Sequence, residues 1–132
     1  MDIALCCFDF INKRIQYAGA NRVLYKISNS ELTEYSPTKS AIGGFTSENF
    51  EYKNNTIDYI TEDIFYLFTD GYADQFGGET GKKLMTKNFK KLLLSVAHKP
   101  LLEQKQEIKK TFESWKGDYE QIDDVLVIGV RV

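Results

Sequence analysis

The sequence predicts an α+β fold built on a largely antiparallel sheet. Three observations carry that expectation. The first half is a run of short β-forming segments separated by two- to three-residue turns. The period of the apolar residues then changes from two to between three and four, marking two amphipathic helices. A last apolar segment closes the chain as a strand.

The elements follow in order. Ile3 to Phe10 is apolar at successive positions, as expected of a strand covered on both faces. Asn12-Lys13 turns the chain, and Arg14 to Ala18 returns. After Gly19-Ala20-Asn21, Arg22 to Ile27 mostly alternates and reads as a strand. Ser28-Asn29-Ser30 turns into a further strand, Glu31 to Tyr35. Pro37 to Thr46, with Gly43-Gly44, is a loop, and Phe50 to Ile60 holds one or two strands around Asn54-Asn55. Ile64 to Thr69 is the clearest strand, rich in aromatic and β-forming residues. Asp70 to Lys83 is a polar, Gly-rich loop.

Thr86 is placed to cap a helix whose apolar stripe is Phe89, Leu92, Leu93 and Val96. Pro100 suits the first turn of a second helix with Leu101, Ile108, Phe112 and Trp115 inward, and Gly117 stands where a C-terminal cap belongs. Asp118 to Asp124 is a polar connector. Val125 to Val132 is apolar enough for a central strand. The two helices are expected side by side on one sheet face, with nothing obvious to cover the other.

At 132 residues the chain has room for one domain, and 42% hydrophobic with 27% charged residues suits a globular protein. A net charge of −2 leaves no basic surplus for nucleic acid. Lys82, Lys83, Lys87, Lys90 and Lys91 read as a solvated helix edge. No apolar run is long enough to span a membrane and no signal peptide is visible, so a cytoplasmic setting is expected. Met1 leads at once into a strand, which suggests a domain that begins upstream. Cys6 and Cys7 are adjacent in an apolar strand, point to opposite faces, and read as small buried hydrophobes in a reducing compartment. With His98 the only histidine, a thiolate and imidazole zinc site is excluded, so any metal must be held by carboxylates.

Two carboxylate positions stand out. Asp70-Gly71 follows directly on the strand Ile64–Thr69, where a rigid element can aim the carboxylate and glycine lets a ligand approach the backbone. Read alone, it is also an ordinary Asp-Gly turn. Asp123-Asp124 immediately precedes the last strand. The adjacent charges repel unless a cation or hydrogen bonds offset them, although a solvated acidic loop is the simpler reading. Together, the two positions at the ends of two core strands suit one oxygen-ligand site for Mg²⁺ or Mn²⁺. His98 reads as a helix C-terminal residue, Asp74 as part of an acidic turn, and Trp115 as core or helix-packing surface. Asn21-Arg22 reads as a capped, solvent-facing turn that could alternatively place a cation near a substrate phosphate.

The segment Ile64-Phe65-Tyr66-Leu67-Phe68-Thr69-Asp70-Gly71-Tyr72-Ala73-Asp74 resembles a "hydrophobic strand, Thr-Asp-Gly, acidic turn" motif. Gln121-Ile122-Asp123-Asp124-Val125-Leu126-Val127-Ile128 is similar to a closing Asp-Asp motif before a last strand. Gln16 to Arg22 and Ala41-Ile42-Gly43-Gly44 resemble two upstream motifs of the same family, in the same order. The family is that of the metal-dependent, PPM-type (type 2C-like) serine/threonine phosphatases, in the stage II sporulation protein E branch.

The resemblance implies an αββα fold, an antiparallel β-sandwich flanked by helices, of which residues 1–132 are a single partial domain, the C-terminal portion. It implies two Mn²⁺ or Mg²⁺ ions that activate a water for hydrolysis of phosphoserine or phosphothreonine. Asp70 and Asp123 match metal-ligand aspartates, Asp124 matches the less constant second residue of the closing motif, and Gly71 supplies backbone near the metal. The implied substrate is a phosphorylated regulatory protein such as an anti-sigma-factor antagonist, with a sensory module upstream and no membrane contact by this segment. The family's bridging-aspartate motif, Asp-x-x-Gly-His-Gly, does not occur in the chain. The chain alone is therefore expected to be inactive, and a non-catalytic remnant or partner-binding module is the alternative.

Overall fold

The structure is a computed structural model and describes residues 1–43 and 50–132. The part of the expected Pro37–Thr46 loop from Gly44 onward lies outside the described residues. Among the described residues, nine strands and three helices follow one another as β1 (Ile3–Asp9), β2 (Arg14–Ala20), β3 (Leu24–Ser28), β4 (Glu31–Tyr35), β5 (Asn54–Asp58), β6 (Ile64–Phe68), α1 (Gly71–Asp74), β7 (Phe76–Gly77), β8 (Lys82–Lys83), α2 (Thr86–Val96), α3 (Leu101–Lys116) and β9 (Val127–Arg131).

The strands form two main antiparallel sheets rather than one. The first has the order β1-β2-β5 and the second β4-β3-β6-β9, with β7-β8 a separate small pair. Strict alternation explains how the second sheet serves two cores. Leu24 and Phe65 face the first sheet and pack with Ile15, Tyr17, Ile57 and Tyr59. Tyr25, Ile27, Ile64 and Tyr66 face the helices and pack with Phe89, Leu93, Val96, Ile108 and Phe112. The expected α+β sandwich is therefore present, with α2 and α3 on one outer face.

Polar ties hold the helical layer in place. Gln104 is buried on α3, accepts the Tyr66 hydroxyl at 2.5 Å and donates to the Lys99 carbonyl at 2.8 Å. The Arg131 guanidinium donates to the Ala97 and Lys99 carbonyls at 2.8 and 2.7 Å, satisfying groups at the end of α2. Between the sheets, Lys26 reaches the buried Asp63 carboxylate at 2.9 Å.

Several expectations need correction. β1 is not covered on both faces: Ala4, Cys6 and Phe8 face the inter-sheet core, whereas Ile3, Leu5 and Cys7 point away from it and are exposed. β1 belongs to the outer sheet, and among the described residues only its inner face meets a second layer. Burial pushes the Cys6 thiol up to about 11, which keeps it protonated, while Cys7 is exposed rather than buried. Among the described residues β9 is an edge strand, not a central one, paired only with β6 through Phe68↔Val127 to Ile64↔Arg131.

The segment Phe50–Ile60 holds one strand, β5, which Asn54-Asn55 begin, whereas the Asp70–Lys83 loop is not all loop but contains α1 and the β7-β8 pair. Thr86 is the first residue of α2, not its cap. Met85 precedes the helix at φ 74° and makes no side-chain capping bond. Gly117 does end α3, at φ 52°, with its N–H on the Glu113 carbonyl at 3.0 Å. Lys82 and Lys83 lie on β8 rather than on a helix.

Candidate functional site

The rim where β6 ends and β9 begins brings Asp70, Gly71, Asp123 and Asp124 into one neighbourhood. β6 delivers Thr69 and Asp70 at its end, and the antiparallel pairing with β9 sets the Asp123–Leu126 segment alongside. Thr69 locks the junction. Its hydroxyl donates to the Asp124 carbonyl at 2.7 Å and accepts the Leu126 N–H at 3.0 Å, and its own N–H donates to the Leu126 carbonyl at 3.0 Å.

Gly71 is needed here for space. A Cβ on it would run into the Asp124 carbonyl oxygen and lie 3.1 Å from the Asp124 carbonyl carbon and 3.3 Å from Val125 Cγ2. The Asp124 carbonyl can come this close because Gly71 carries no Cβ at the point of contact.

The carboxylates differ in their surroundings. Asp70 is half exposed, and its Oδ2 lies 2.8 Å from Arg22 Nη1. The hydrogen bond from Arg22 is the main reason its carboxyl sits below the usual carboxylate range. Desolvation opposes that shift, and the Arg22 and Lys83 charges reinforce it. Asp123 is exposed and turns its Oδ1 onto the Asp124 N–H at 2.7 Å, while Gln121 Nε2 donates to the Asp123 carbonyl at 2.9 Å. The exposed Asp124 contributes its carbonyl to the Thr69 lock.

Among the described residues, no three His, Cys, Asp or Glu side chains converge as a metal-binding group. Asp74 belongs to a different interaction, 3.2 Å from Lys83 Nζ. His98 is exposed in the turn between α2 and α3. The Trp115 indole donates to the Gln75 carbonyl at 2.9 Å, a packing role.

Sequence reasoning missed the engagement of Arg22 with Asp70. Arg22 stands between β2 and β3, and β3 pairs antiparallel with β6 from Tyr25↔Tyr66 to Ile27↔Ile64, so the same register carried back past Tyr25 sets Arg22 beside the end of β6, where Asp70 sits. The turn that presents Arg22 is tightly held. Tyr17 OH donates to the Arg22 carbonyl at 2.6 Å, Asn21 sits at φ 59°, and its side chain donates to Asp2 at 2.9 Å.

The donor set at the rim is all oxygen, the chemistry that Mg²⁺ and Mn²⁺ prefer. Arg22 already supplies positive charge against Asp70, so this position tolerates a cation. These residues thus fit part of a divalent-cation site. A separate groove of about 790 Å³ runs between α3 and the free side of β9, lined by Tyr72, Leu101, Ile108, Phe112 and Val127 among others. None of Asp70, Asp123 and Asp124 lines it. No helix among the described residues is long and apolar enough to cross a membrane.

Comparison with known proteins agrees with this architecture. The SiaA-PP2C domain of Pseudomonas aeruginosa superposes with a TM-score of 0.88 at 31% identity, over 99% of this chain and 51% of that one. A structure of the PP2C phosphatase domain and a fragment of the regulatory domain of the cell fate determinant SpoIIE from Bacillus subtilis gives 0.78 at 13% identity, over 99% and 37%. A Mn-presoaked structure of that phosphatase domain gives 0.70 at 11%, over 99% and 56%. The latter two likenesses concern the fold alone. The chain spans about half the length of the SiaA-PP2C domain. No curated protein matches it. The family model for stage II sporulation protein E (SpoIIE) matches residues 1–132, and the chain belongs to that family.

Proposed function

We propose that residues 1–132 form the C-terminal portion of a single PPM-type phosphatase domain that hydrolyses phosphoserine or phosphothreonine on a regulatory protein. The observation that carries this reading is the Thr69 lock, which ties the Asp70-Gly71 corner to the Asp123-Asp124 entrance of β9. Family membership supplies the reaction class. Asp70 and Asp123 would hold Mn²⁺ or Mg²⁺, with Asp124 a further oxygen donor and the Gly71 backbone close by. Bound divalent ions supply an activated water and neutralise charge on the transferring phosphoryl group. The chain's own part is to aim these carboxylates from the ends of two paired strands and to keep the junction rigid. The substrate class, an anti-sigma-factor antagonist or similar phosphoprotein, and an upstream sensor follow from the family resemblance.

A second reading, a scaffold that binds a partner without catalysis, is favoured by one observation. No three ligating side chains converge among the described residues, and affinity for divalent ions rises with ligand charge and number.

Mn²⁺-dependent hydrolysis of a phosphoserine peptide separates the two. The chain alone should show negligible turnover. The domain extended N-terminally to the length of its solved relatives should be active, and Asp70→Asn or Asp123→Asn should each lower kcat/KM by roughly a hundredfold, the scale of losing one group that stabilises the transition state. Robust turnover by the 132-residue chain that neither substitution changes refutes the phosphatase assignment of these residues. An extended domain without activity favours the binding module.

A further inference from the structure

The Arg22–Asp70 pair spans the entrance of β3 and the end of β6, neighbouring strands of the second sheet, at the rim where the candidate ligands gather. Arg22 Nη1 is 2.8 Å from Asp70 Oδ2, and Nη2 is 3.6 Å from Asp2 Oδ2. One guanidinium therefore stands between two carboxylates, the nearer of which is a candidate metal ligand. Its backbone cannot drift away. Tyr17 OH holds the Arg22 carbonyl, and a Cβ at Gly19 would strike both groups, so the turn is packed without slack. The second carboxylate is itself oriented by the Asn21 amide. A guanidinium offers several donors in a fixed fork and can shift from one carboxylate to a neighbouring one without leaving the cluster.

We propose that Arg22 is a tethered counter-ion for Asp70, which a divalent cation must displace to be held there, with Asp2 as the carboxylate that receives the released guanidinium. The proposal rests on the reading of Asp70 as a metal ligand. The tether neutralises Asp70 in the metal-free protein and sets a threshold for cation binding. Arg22 thereby becomes a positioning residue for the metal, acting through Asp70, and not a surface ion pair of only structural consequence.

Mn²⁺ titration of the whole chain, with free ion counted by its solution EPR signal, tests this. Arg22→Gln should tighten the Asp70-dependent Kd by roughly two- to fivefold, the range set by an ion pair half exposed to solvent. Arg22→Lys, which keeps the charge and loses the fork, should fall between Arg22→Gln and the unsubstituted chain, and it serves if the glutamine variant does not fold. Arg14→Gln removes the same charge from a pair with Asp58 at the other end of β2 and should leave Kd unchanged.

Thermal melting gives a second readout. Arg22→Gln and Asp70→Asn should be energetically coupled in EDTA and uncoupled in saturating Mn²⁺. If Asp70→Asn abolishes binding while Arg22→Gln binds no tighter than the unsubstituted chain, the counter-ion role is overturned and the metal-ligand reading stands. If Asp70→Asn binds Mn²⁺ no differently from the unsubstituted chain, the ligand reading falls, and the tether with it.

Discussion

Gly71→Ala is the most direct probe of how the rim is built. Gly71 takes no positive φ, so the cost of a side chain there is steric and not conformational. The new Cβ meets the Asp124 carbonyl group and Val125 Cγ2. The carbonyl group is main chain and cannot rotate aside as a flexible side chain would. Relief requires the Asp123–Leu126 segment to move away from β6, which stretches both hydrogen bonds of the Thr69 hydroxyl. Forcing an atom into a packed contact costs about 1–3 kcal/mol, and each weakened hydrogen bond adds about 0.5–1.5 kcal/mol. The expected loss is about 2–6 kcal/mol. For a chain of this length, at roughly 2.1 cal/mol/K of unfolding entropy per residue, that lowers Tm by about 7–22 °C.

Circular-dichroism melting measures it, with Thr69→Val as the companion variant that removes the hydrogen bonds and leaves the space. Because both variants loosen one junction, the double variant should lose less than the sum of the singles, by about 0.5 kcal/mol or more. A Gly71→Ala variant that melts within about 2 °C of the unsubstituted chain, or strictly additive losses, refutes the account of the junction.

Two further outcomes are expected. Burial works to raise the Asp63 carboxyl, but hydrogen bonds from Ser28, Lys26 and the Ile60 N–H, with the Lys26 charge, outweigh it and hold the group below the ordinary carboxylate range. A depressed folded-state pKa contributes stability above the unfolded value of about 3.9 that is lost as pH falls through the folded one. Asp63→Asn should therefore cost about 3 kcal/mol at neutral pH and progressively less in melts taken below about pH 4; a cost independent of pH contradicts this. Leu5 is 66% exposed on the outer face of β1, beside Ile3 and Cys7. Leu5→Thr should change stability by less than about 0.5 kcal/mol while reducing hydrophobic-dye binding and self-association in size-exclusion chromatography. An unsubstituted chain that is a dye-free, monodisperse monomer argues against an adhesive sheet face.

Local patterns in the sequence determined much of this protein. Alternation identified β3, a turn signal β4 and aromatic, β-forming content β6, the three- and four-residue spacing identified α2 and α3, and Gly117 marked a helix end, because each depends on residues within a turn or two of one another. The Asp-bearing ends of Ile64–Thr69 and Val125–Val132 were legible for the same reason. Each is a carboxylate written next to a strong strand.

Tertiary structure decided what lies beyond that range. An apolar segment has the same sequence at an edge as at a centre, so only strand order made β1 and β9 edges, and only the layering of the sheets left Ile3, Leu5 and Cys7 exposed. The division of one run of strands into two stacked sheets was likewise invisible to periodicity. The pairing of β3 with β6 carries Arg22, just ahead of β3, to Asp70 at the end of β6. Two groups far apart in the chain meet only when non-local strand pairing sets their elements side by side, and no local spacing encodes that contact.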